Sequence, residues 1–142
     1  MTLKDKVVVI TGGTRGIGHA LAKTMKREGA HVVICARNSE EVRGISEELD
    51  IMGVVTDMTK EQDVQSLADQ VVAKMGSIDM WINNAGVWMS HGAVENFDMQ
   101  KVRSLFDVNF FGTVYGVRSA LRCMKKQGDG AIVNIISASG LV

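Results

Sequence analysis

The sequence contains little of what marks several broad classes of protein. Among its 142 residues are two cysteines, Cys35 and Cys123, and neither has a second Cys or His at ligand spacing, so we expect no metal site and no disulfide framework. The 16 basic and 16 acidic residues are interspersed and sum to zero net charge, which predicts neither a nucleic-acid partner nor a membrane partner. No apolar run approaches a bilayer span, and the N-terminus lacks the apolar core of a signal peptide. We therefore expect a cytoplasmic protein, and its charge indicates no macromolecular partner.

Glycines are concentrated in one stretch, residues 11–18, which read TGGTRGIG. The stretch follows an apolar run at residues 7–10 and precedes apolar residues at helical spacing from Ile17, which predicts a strand, a tight turn and a helix. Such a turn lets a pyrophosphate lie against bare backbone, and the helix N-terminus offers unpaired N–H groups to an anion. A P-loop NTPase would need Lys and then Ser or Thr after Gly18, where this chain has His19 and Ala20. A dinucleotide site is favoured, with an ordinary glycine-rich turn as the alternative.

Strand and helix patterns alternate along the chain. Apolar runs predict strands at residues 6–10, 31–36, 53–57, 79–82 and 131–136. Capping-box signals, Asn38 with Glu41 and Thr59 with Gln62, open the second and third predicted helices, and a long helix follows at about residues 98–126. This alternation predicts an α/β fold, a Rossmann-type doubly wound parallel sheet with strand order 3-2-1-4-5, in one domain over residues 1–142. The ligand of such a sheet lies at the carboxyl ends of the strands.

Five motifs follow one another at the predicted strand ends and in the long helix. They are Thr-Gly-x-x-x-Gly-x-Gly at residues 11–18, Asp57, Asn-Asn-Ala-Gly at residues 83–86, Asn109, and Asn-Ile-Ile-Ser at residues 134–137. In this order they resemble the short-chain dehydrogenase/reductase family. The resemblance implies an oxidoreductase that transfers a hydride between a nicotinamide dinucleotide and a carbonyl or alcohol substrate. It also implies cofactor contacts from Gly12, Thr14, Arg15, Gly16, Ile17, Gly18, Arg37, Asn38, Asp57, Met58, Asn84, Ala85 and Gly86.

The residues after the second strand bear on which dinucleotide is bound. A fold that selects NAD places an acidic residue there to accept hydrogen bonds from the ribose 2′-hydroxyl. This chain has Ala36, Arg37 and Asn38 instead, and Arg15 in the glycine stretch is expected at the same corner. Because a guanidinium group is a permanently charged fork suited to phosphate, both arginines favour NADP(H) over NAD. The alternative is that the two arginines are solvated.

Two further strand ends have both a cofactor interpretation and a structural one. In the family, the acid at the position of Asp57 and the next backbone amide, here Met58, contact the adenine. Asp57 could instead add a cap to the following helix, although Thr59 is already well placed for that task. In Asn-Asn-Ala-Gly at residues 83–86, small residues would let the backbone approach the cofactor while the amides brace neighbouring loops. A plain turn is the alternative there.

Asn109 and Ser137 are the catalytic residues that the resemblance implies. Asn109 lies in a predicted inward stripe of the long helix, formed by Val102, Leu105, Phe106, Asn109, Thr113, Val117, Ala120 and Met124. A buried amide needs a partner, so Asn109 is either a satisfied structural residue or the residue that holds a water in the family's proton relay. Ser137 matches the serine that donates a hydrogen bond to the substrate oxygen, and Ser139 is a less well spaced candidate. For either serine, the alternative is a hydroxyl that satisfies a strand-end backbone group.

The family's proton donor, a Tyr in a Tyr-x-x-x-Lys motif after the fifth strand, does not occur in these 142 residues. The only tyrosine, Tyr115, lies in the long helix with Ser119 four residues later, and we assign a catalytic role neither to it nor to His19, His31 and His91. We therefore expect the N-terminal part of such an enzyme, with the C-terminal part of the fold missing, and we expect it to bind cofactor better than it catalyses. The alternative is a nucleotide-binding module without turnover.

The long helix has more apolar surface than one sheet face needs. Phe110, Phe111, Val114 and Leu121 add to its inward stripe, and the last predicted strand has an unprotected edge. We expect a second contact of this helix, either with a covering helix or with another copy of the chain in a homo-oligomer through residues 98–126. The loop residues Trp88 and Met89 are expected near the substrate and hint at an apolar ketone or alcohol, although a loop Trp often only packs.

Overall fold

Five strands form one parallel sheet in the computed structural model, which describes residues 2–89 and 92–137. They are β1 (Val7–Thr11), β2 (His31–Ala36), β3 (Met52–Val55), β4 (Met80–Asn83) and β5 (Ala131–Asn134). The order across the sheet is β3-β2-β1-β4-β5, so β1 lies at the centre and pairs with both β2 and β4. The predicted α/β fold with Rossmann-type strand order is confirmed.

Helices connect the strands and lie on both faces of the sheet. α1 (Gly16–Arg27), α2 (Ser39–Leu49) and α3 (Glu61–Met75) follow the first three strands. Between β4 and β5 the chain forms a short 3₁₀ helix (Val94–Asn96), α4 (Met99–Phe106), a π-helical turn (Asp107–Phe111) and α5 (Gly112–Gln127). In the part of the chain that the structure describes, no helix combines the length and the hydropathy that a membrane span requires.

The apolar core forms two layers because side chains alternate between the two faces of each strand. All residues of β1 are buried, as expected for a central strand covered by helices on both sides. On one face Val9 belongs to a cluster with Leu67 of α3 and Ala120 of α5. On the other face Ile10 belongs to a cluster with Ala22 of α1. Both faces are thus occupied by helices, and the carboxyl ends of the strands are where a ligand can reach the sheet.

The predicted long helix is interrupted in its middle. In the π-helical turn between α4 and α5, Gly112 donates its N–H to the carbonyl of Asp107, five residues earlier. A π turn adds a residue to one turn of helix, so the regular helical spacing that predicts one continuous stripe does not hold across it. Phe106 was wrongly assigned to the inward stripe and is 54% exposed, whereas Ala120 and Met124 beyond the π turn are buried as expected.

One predicted capping box is half formed. Asn38 caps α2, because its side-chain oxygen accepts hydrogen bonds from the N–H groups of Glu40 and Glu41. The Glu41 carboxylate does not complete the box by reaching back to Asn38. It accepts a hydrogen bond from the hydroxyl of Thr14 instead.

The second predicted capping box, at Thr59 with Gln62, is wrong. α3 begins at Glu61, after Lys60, and the Thr59 hydroxyl donates to Oδ1 of Asp57 at 2.8 Å. Oδ1 of Asp57 also accepts the N–H of Thr59 at 3.0 Å, so Asp57 organises the turn before α3. A carboxylate two residues away competes successfully for the hydroxyl that the helix start would have used.

Candidate functional site

The glycine loop, residues 11–18, is held against β2 by backbone hydrogen bonds. Gly12 and Gly13 donate their N–H groups to the carbonyl of Cys35 at 2.9 and 3.2 Å. Gly12 has a φ of +66°, in the left-handed region that favours glycine, and a Cβ there would also meet the backbone of Ala85. This path of the loop therefore requires glycine at position 12.

Asn84, just after β4, braces the loop from the other side. Its Nδ2 donates to the carbonyls of Thr11 and Gly12 at 2.9 and 3.1 Å, while the Thr11 hydroxyl accepts the N–H groups of Asn84 and Ala85, both at 3.0 Å. A Cβ on Gly18 would overlap the Gly12 carbonyl and the Asn84 amide, so α1 starts in direct contact with the loop. The first turn of α1 lies immediately behind the loop, which is the arrangement that offers helix N–H groups to an anion.

The loop opens onto a cavity of about 390 Å³ that is lined by residues following β1, β2, β3 and β4. Gly16 and Gly18 shape the start of α1 and are outside this lining. The other predicted cofactor residues line it together: Gly12, Thr14, Arg15, Ile17, Arg37, Asn38, Asp57, Met58, Asn84, Ala85 and Gly86.

Charges of both signs meet in this cavity, from Arg15, Arg37, Glu41 and Asp57. Burial acts to raise the pKa of Asp57, but the hydrogen bonds from the N–H and hydroxyl of Thr59 and nearby positive charges, that of Arg37 among them, outweigh it. The net pKa of Asp57 lies below its ordinary value, so this side chain is an anion at neutral pH. The structural and cofactor interpretations of Asp57 therefore both have support, since it makes a turn and lines the cavity.

Cys35 lies beneath the glycine loop and is fully buried. Burial raises the pKa of its thiol to about 12, against the smaller opposing effects of the Gly12 backbone and the Thr56 hydroxyl. The thiol is therefore protonated at neutral pH and is not a nucleophile. Cys35 is therefore a packing residue of the apolar core.

Asn109 lies in the π-helical turn and clamps the loop that leaves β4. Its side-chain oxygen accepts the N–H of Val87 at 2.8 Å, and its Nδ2 donates to the carbonyl of Val87 at 2.9 Å. The amide of Asn109 is thus committed to Val87, and its main-chain carbonyl accepts the Thr113 hydroxyl at 2.8 Å. Asn109 is outside the lining of the first cavity but adjoins it, because Val87 is part of that lining.

Hydrogen bonds between side chains connect the buried part of β4 to the end of β5. The buried indole N–H of Trp81 donates to the side-chain oxygen of Asn83 at 2.8 Å. The side-chain N–H of Asn83 donates in turn to the side-chain oxygen of Asn134 at 2.8 Å. The carbonyl of Asn83 accepts the N–H of Ile135, so the backbone beyond β5 stays beside β4. β5 ends at Asn134 rather than at Ile136, which puts Ser137 beyond the strand end, exposed and outside the lining of the first cavity. Ser139 and His91 lie outside the described residues.

Sequence reasoning missed several residues that line the cavity: Ala36, Glu41, Thr56, Val87 and Val108. Glu41 was interpreted as half of a capping box, and its distance from the glycine loop in the sequence hid the contact with Thr14. Val108 is adjacent to Asn109, but the π turn that aims it at the cavity leaves no recognisable sequence signal. Asn38, which was predicted to bind cofactor, lines the cavity while its side-chain oxygen caps α2.

Trp88 and Met89 line a second cavity of about 730 Å³ beside α4. This cavity shares Arg37, Val87 and Val108 with the first one. The two loop residues therefore adjoin the cofactor cavity on the side of Arg37, and their proximity to a substrate stays a prediction.

Comparison with known families agrees with this arrangement of strand, glycine loop and helix. A model of the short chain dehydrogenase family matches residues 6–142, which is nearly all of the sequence. The chain belongs to the short-chain dehydrogenase family. Membership implies a nicotinamide dinucleotide cofactor, NAD or NADP.

The chain is also similar to individual members and to a solved structure. An uncharacterized oxidoreductase of Bacillus subtilis, YxnA, is 38% identical over 97% of this chain and 40% of its own length. An uncharacterized oxidoreductase of Staphylococcus aureus, SAR2567, is 36% identical over 97% of this chain and 61% of its own length. The crystal structure of gox2181 superimposes with a TM-score of 0.95 and 29% identity over 99% of this chain and 56% of that chain. This short-chain dehydrogenase thus spans about half the length of the relatives that it matches.

Proposed function

We propose that this chain binds NADP(H) and that the protein uses it to interconvert a small carbonyl compound and an alcohol. The observation that carries the proposal is the meeting of Arg15 and Arg37 with the glycine loop in one cavity. A Cβ at Gly12 would collide with the Ala85 backbone, and a Cβ at Gly18 would collide with the Gly12 carbonyl and the Asn84 amide. Both positions therefore require glycine, which leaves the backbone of the loop without side chains there. A bare loop in front of a helix N-terminus suits a pyrophosphate, and guanidinium groups beside it suit a 2′-phosphate.

The residues of the cavity divide the binding task. The loop backbone and the first turn of α1 hold the pyrophosphate, Arg15 and Arg37 hold the 2′-phosphate, and Asp57 with the Met58 amide meets the adenine. Asn84 lines the cavity and also positions the loop through its hydrogen bonds to Thr11 and Gly12. The bound dinucleotide supplies the hydride donor and acceptor of the reaction.

Ser137 and Asn109 serve the chemical step in this proposal. The Ser137 hydroxyl donates a hydrogen bond to the substrate oxygen, which stabilises the negative charge that develops there. Asn109 fixes the loop at Val87 with both atoms of its amide and offers its main-chain carbonyl to a water of the proton relay. Tyr115 has no catalytic part in this proposal, because it lines neither cavity and is followed four residues later by Ser119 rather than by Lys.

The cofactor assignment is tested by replacing Arg37 with alanine. A hydrogen bond between charged groups contributes about 1.5–3 kcal/mol, so Arg37→Ala is expected to weaken NADPH binding about tenfold or more. NADH binding is expected to be nearly unchanged, because NADH lacks the 2′-phosphate. Arg43→Ala is the matched control, since Arg43 is an exposed arginine of α2 outside the cavity. Calorimetry with both dinucleotides decides the matter, and equal losses for NADPH and NADH would refute the assignment.

A turnover assay distinguishes an oxidoreductase from a module that only binds nucleotide. General acid–base catalysis contributes about 10²–10⁴-fold to a reaction, and the family's Tyr-x-x-x-Lys pair is not among these 142 residues. We therefore expect this chain to bind NADPH and to oxidise it slowly with a panel of ketones, as followed by NADPH absorbance. Rapid oxidation that is lost in Tyr115→Phe would instead assign the proton donor to Tyr115.

We also propose that α4 and α5 mediate a homo-oligomer. Six large apolar side chains on this helical stretch are 36–60% exposed: Met99, Phe106, Phe110, Phe111, Val114 and Leu121. Val114 and Leu121 are seven residues apart within α5, which brings them to one side of that helix. A contiguous apolar surface of this kind marks an interaction site, and a second copy of the same helix presents the same surface.

A further inference from the structure

Glu41 is an acidic residue at the corner where the two arginines line the cofactor cavity. It lies in the first turn of α2, and its carboxylate accepts a hydrogen bond from the Thr14 hydroxyl at 3.0 Å. Thr14 belongs to the glycine loop, so this hydrogen bond bridges α2 and the loop. Arg15, Arg37 and Glu41 all line the same cavity of about 390 Å³. The Glu41 carboxylate therefore lies in the same cavity as the two arginines that are proposed to bind the 2′-phosphate.

The Glu41 charge is not cancelled by an ion pair. None of the ion pairs found in residues 2–89 and 92–137 includes Glu41, Arg15 or Arg37. A phosphate at this corner carries nearly two negative charges and would meet the attraction of the arginines together with the repulsion of Glu41. A free ribose hydroxyl at the same corner would meet a hydrogen-bond acceptor, because an ionised carboxylate accepts and does not donate.

We propose that Glu41 is a specificity-determining residue that sets the balance between the 2′-phosphorylated and the unphosphorylated dinucleotide. It accepts a hydrogen bond from the ribose 2′-hydroxyl of NAD(H) and repels the 2′-phosphate of NADP(H). The Thr14 hydroxyl holds the carboxylate in this position. The inference rests on the proposed binding of the adenosine ribose beside Arg15 and Arg37, and it predicts that the chain binds both dinucleotides with a modest preference.

The test uses Glu41→Gln, which removes the charge and keeps the size of the side chain. Glu40→Gln is the matched control, because Glu40 is the neighbouring acid in the same first turn of α2 and is outside the cavity lining. Both substitutions remove one negative charge near the same helix N-terminus, so they change the helix dipole interaction equally. A difference between them reports the position of Glu41 in the cavity.

The probes are adenosine 2′,5′-bisphosphate and adenosine 5′-monophosphate, which contain the ribose corner and lack nicotinamide. In the full chain, Glu41→Gln is expected to strengthen binding of the bisphosphate by about three- to tenfold, as the removal of one partly screened charge predicts. Binding of the monophosphate is expected to stay equal or to weaken. The gain for the bisphosphate should shrink as salt rises from about 0.05 to about 0.5 M, whereas a purely structural change would not depend on salt in this way.

Each outcome of this measurement bears on the inference. Equal changes for the two probes, or identical behaviour of Glu41→Gln and Glu40→Gln, would overturn the role of Glu41. Arg37→Ala, measured in parallel, distinguishes that result from failure of the cofactor assignment. If Arg37→Ala weakens the bisphosphate alone while Glu41→Gln has no effect, the NADP(H) assignment stands and the Glu41 inference is refuted. If the wild-type chain binds neither probe, the proposed function fails and the inference fails with it.

Discussion

Gly116 of α5 packs against the hydrogen-bonded pair of Trp81 and Asn83, so alanine at this position is expected to destabilise the fold. The helix itself would gain about 1 kcal/mol, because alanine is a better helix former than glycine. The added methyl group, however, would overlap the side-chain oxygen of Asn83 and lie 2.8 Å from the indole nitrogen of Trp81. Overpacking of a core costs about 1–3 kcal/mol, and a buried N–H left unpaired costs about 1–3 kcal/mol. The net loss in the free energy of unfolding is expected to be about 1–5 kcal/mol after the helix gain is subtracted.

Gly44→Ala provides the control with the opposite sign. Gly44 is also a helical glycine, in α2, but a Cβ built there would meet no atom within 4 Å among the described residues. The helix gain is then not opposed by any overlap, and we expect an increase of about 0.5–1 kcal/mol in the free energy of unfolding. The same chemical change at two helical positions should therefore move stability in opposite directions.

Urea unfolding followed by tryptophan fluorescence measures both effects. Trp81 is fully buried and Trp88 is 70% exposed, so the change on unfolding is expected to come chiefly from Trp81. Its indole hydrogen bond is the group that Gly116→Ala disturbs, and a shifted native emission should accompany the loss of stability. Equal stability of Gly116→Ala and the wild type, or a loss in Gly44→Ala, would show that α5 does not approach β4 as closely as described.

Three further outcomes are expected. Burial acts to raise the pKa of Asp79, but hydrogen bonds from Lys6 and Val7 lower it below the ordinary 3.8. Its stabilising effect is therefore present above about pH 4 and lost as the pH falls from there, and unfolding of Asp79→Asn should depend less on pH in this window; an unchanged dependence would refute this. In sedimentation, Phe110→Glu should shift the chain toward monomer while Lys23→Glu, at an exposed position of α1 on the other face of the sheet, does not, and equal behaviour of the two would count against the α4 and α5 interface. Asn109→Ala should lower kcat more than KM changes, because it releases Val87 and disturbs the carbonyl in the π turn, and a change in KM alone would contradict the proposed role.

Features that depend on neighbouring residues could be predicted from the sequence. The glycine loop is one example, because its function depends on backbone angles and bare backbone within eight consecutive residues, 11–18. The strands are another, since apolar runs such as residues 31–36 must be buried on both faces wherever they pair, and β2 has the predicted bounds. The Asn38 cap of α2 was also predictable, because both of its partners lie within three residues.

Features that depend on distant residues could not be predicted. The Glu41 carboxylate is a good partner for either Asn38 or Thr14, and only the position of α2 beside the glycine loop decides for Thr14. Asn109 was predicted to be a buried amide that needs hydrogen-bond partners, but the sequence around Asn109 does not indicate that Val87 supplies them. The π turn around Asn109 is likewise invisible to a search for regular helical spacing, because one added residue per turn leaves the composition of the helix unchanged.

The sequence by itself determined the order of strands and helices and the dinucleotide-type loop, because both follow from local periodicity and local backbone chemistry. It indicated most of the residues that line the cavity through the resemblance of its motifs to the short-chain dehydrogenase family. Tertiary structure alone decided how the charges of Arg15, Arg37, Glu41 and Asp57 combine, since these four side chains follow three different strands and meet at one edge of the sheet. Electrostatic interactions depend on distance in space, and residues that are tens of positions apart in the sequence come together in one cavity only when the parallel sheet forms.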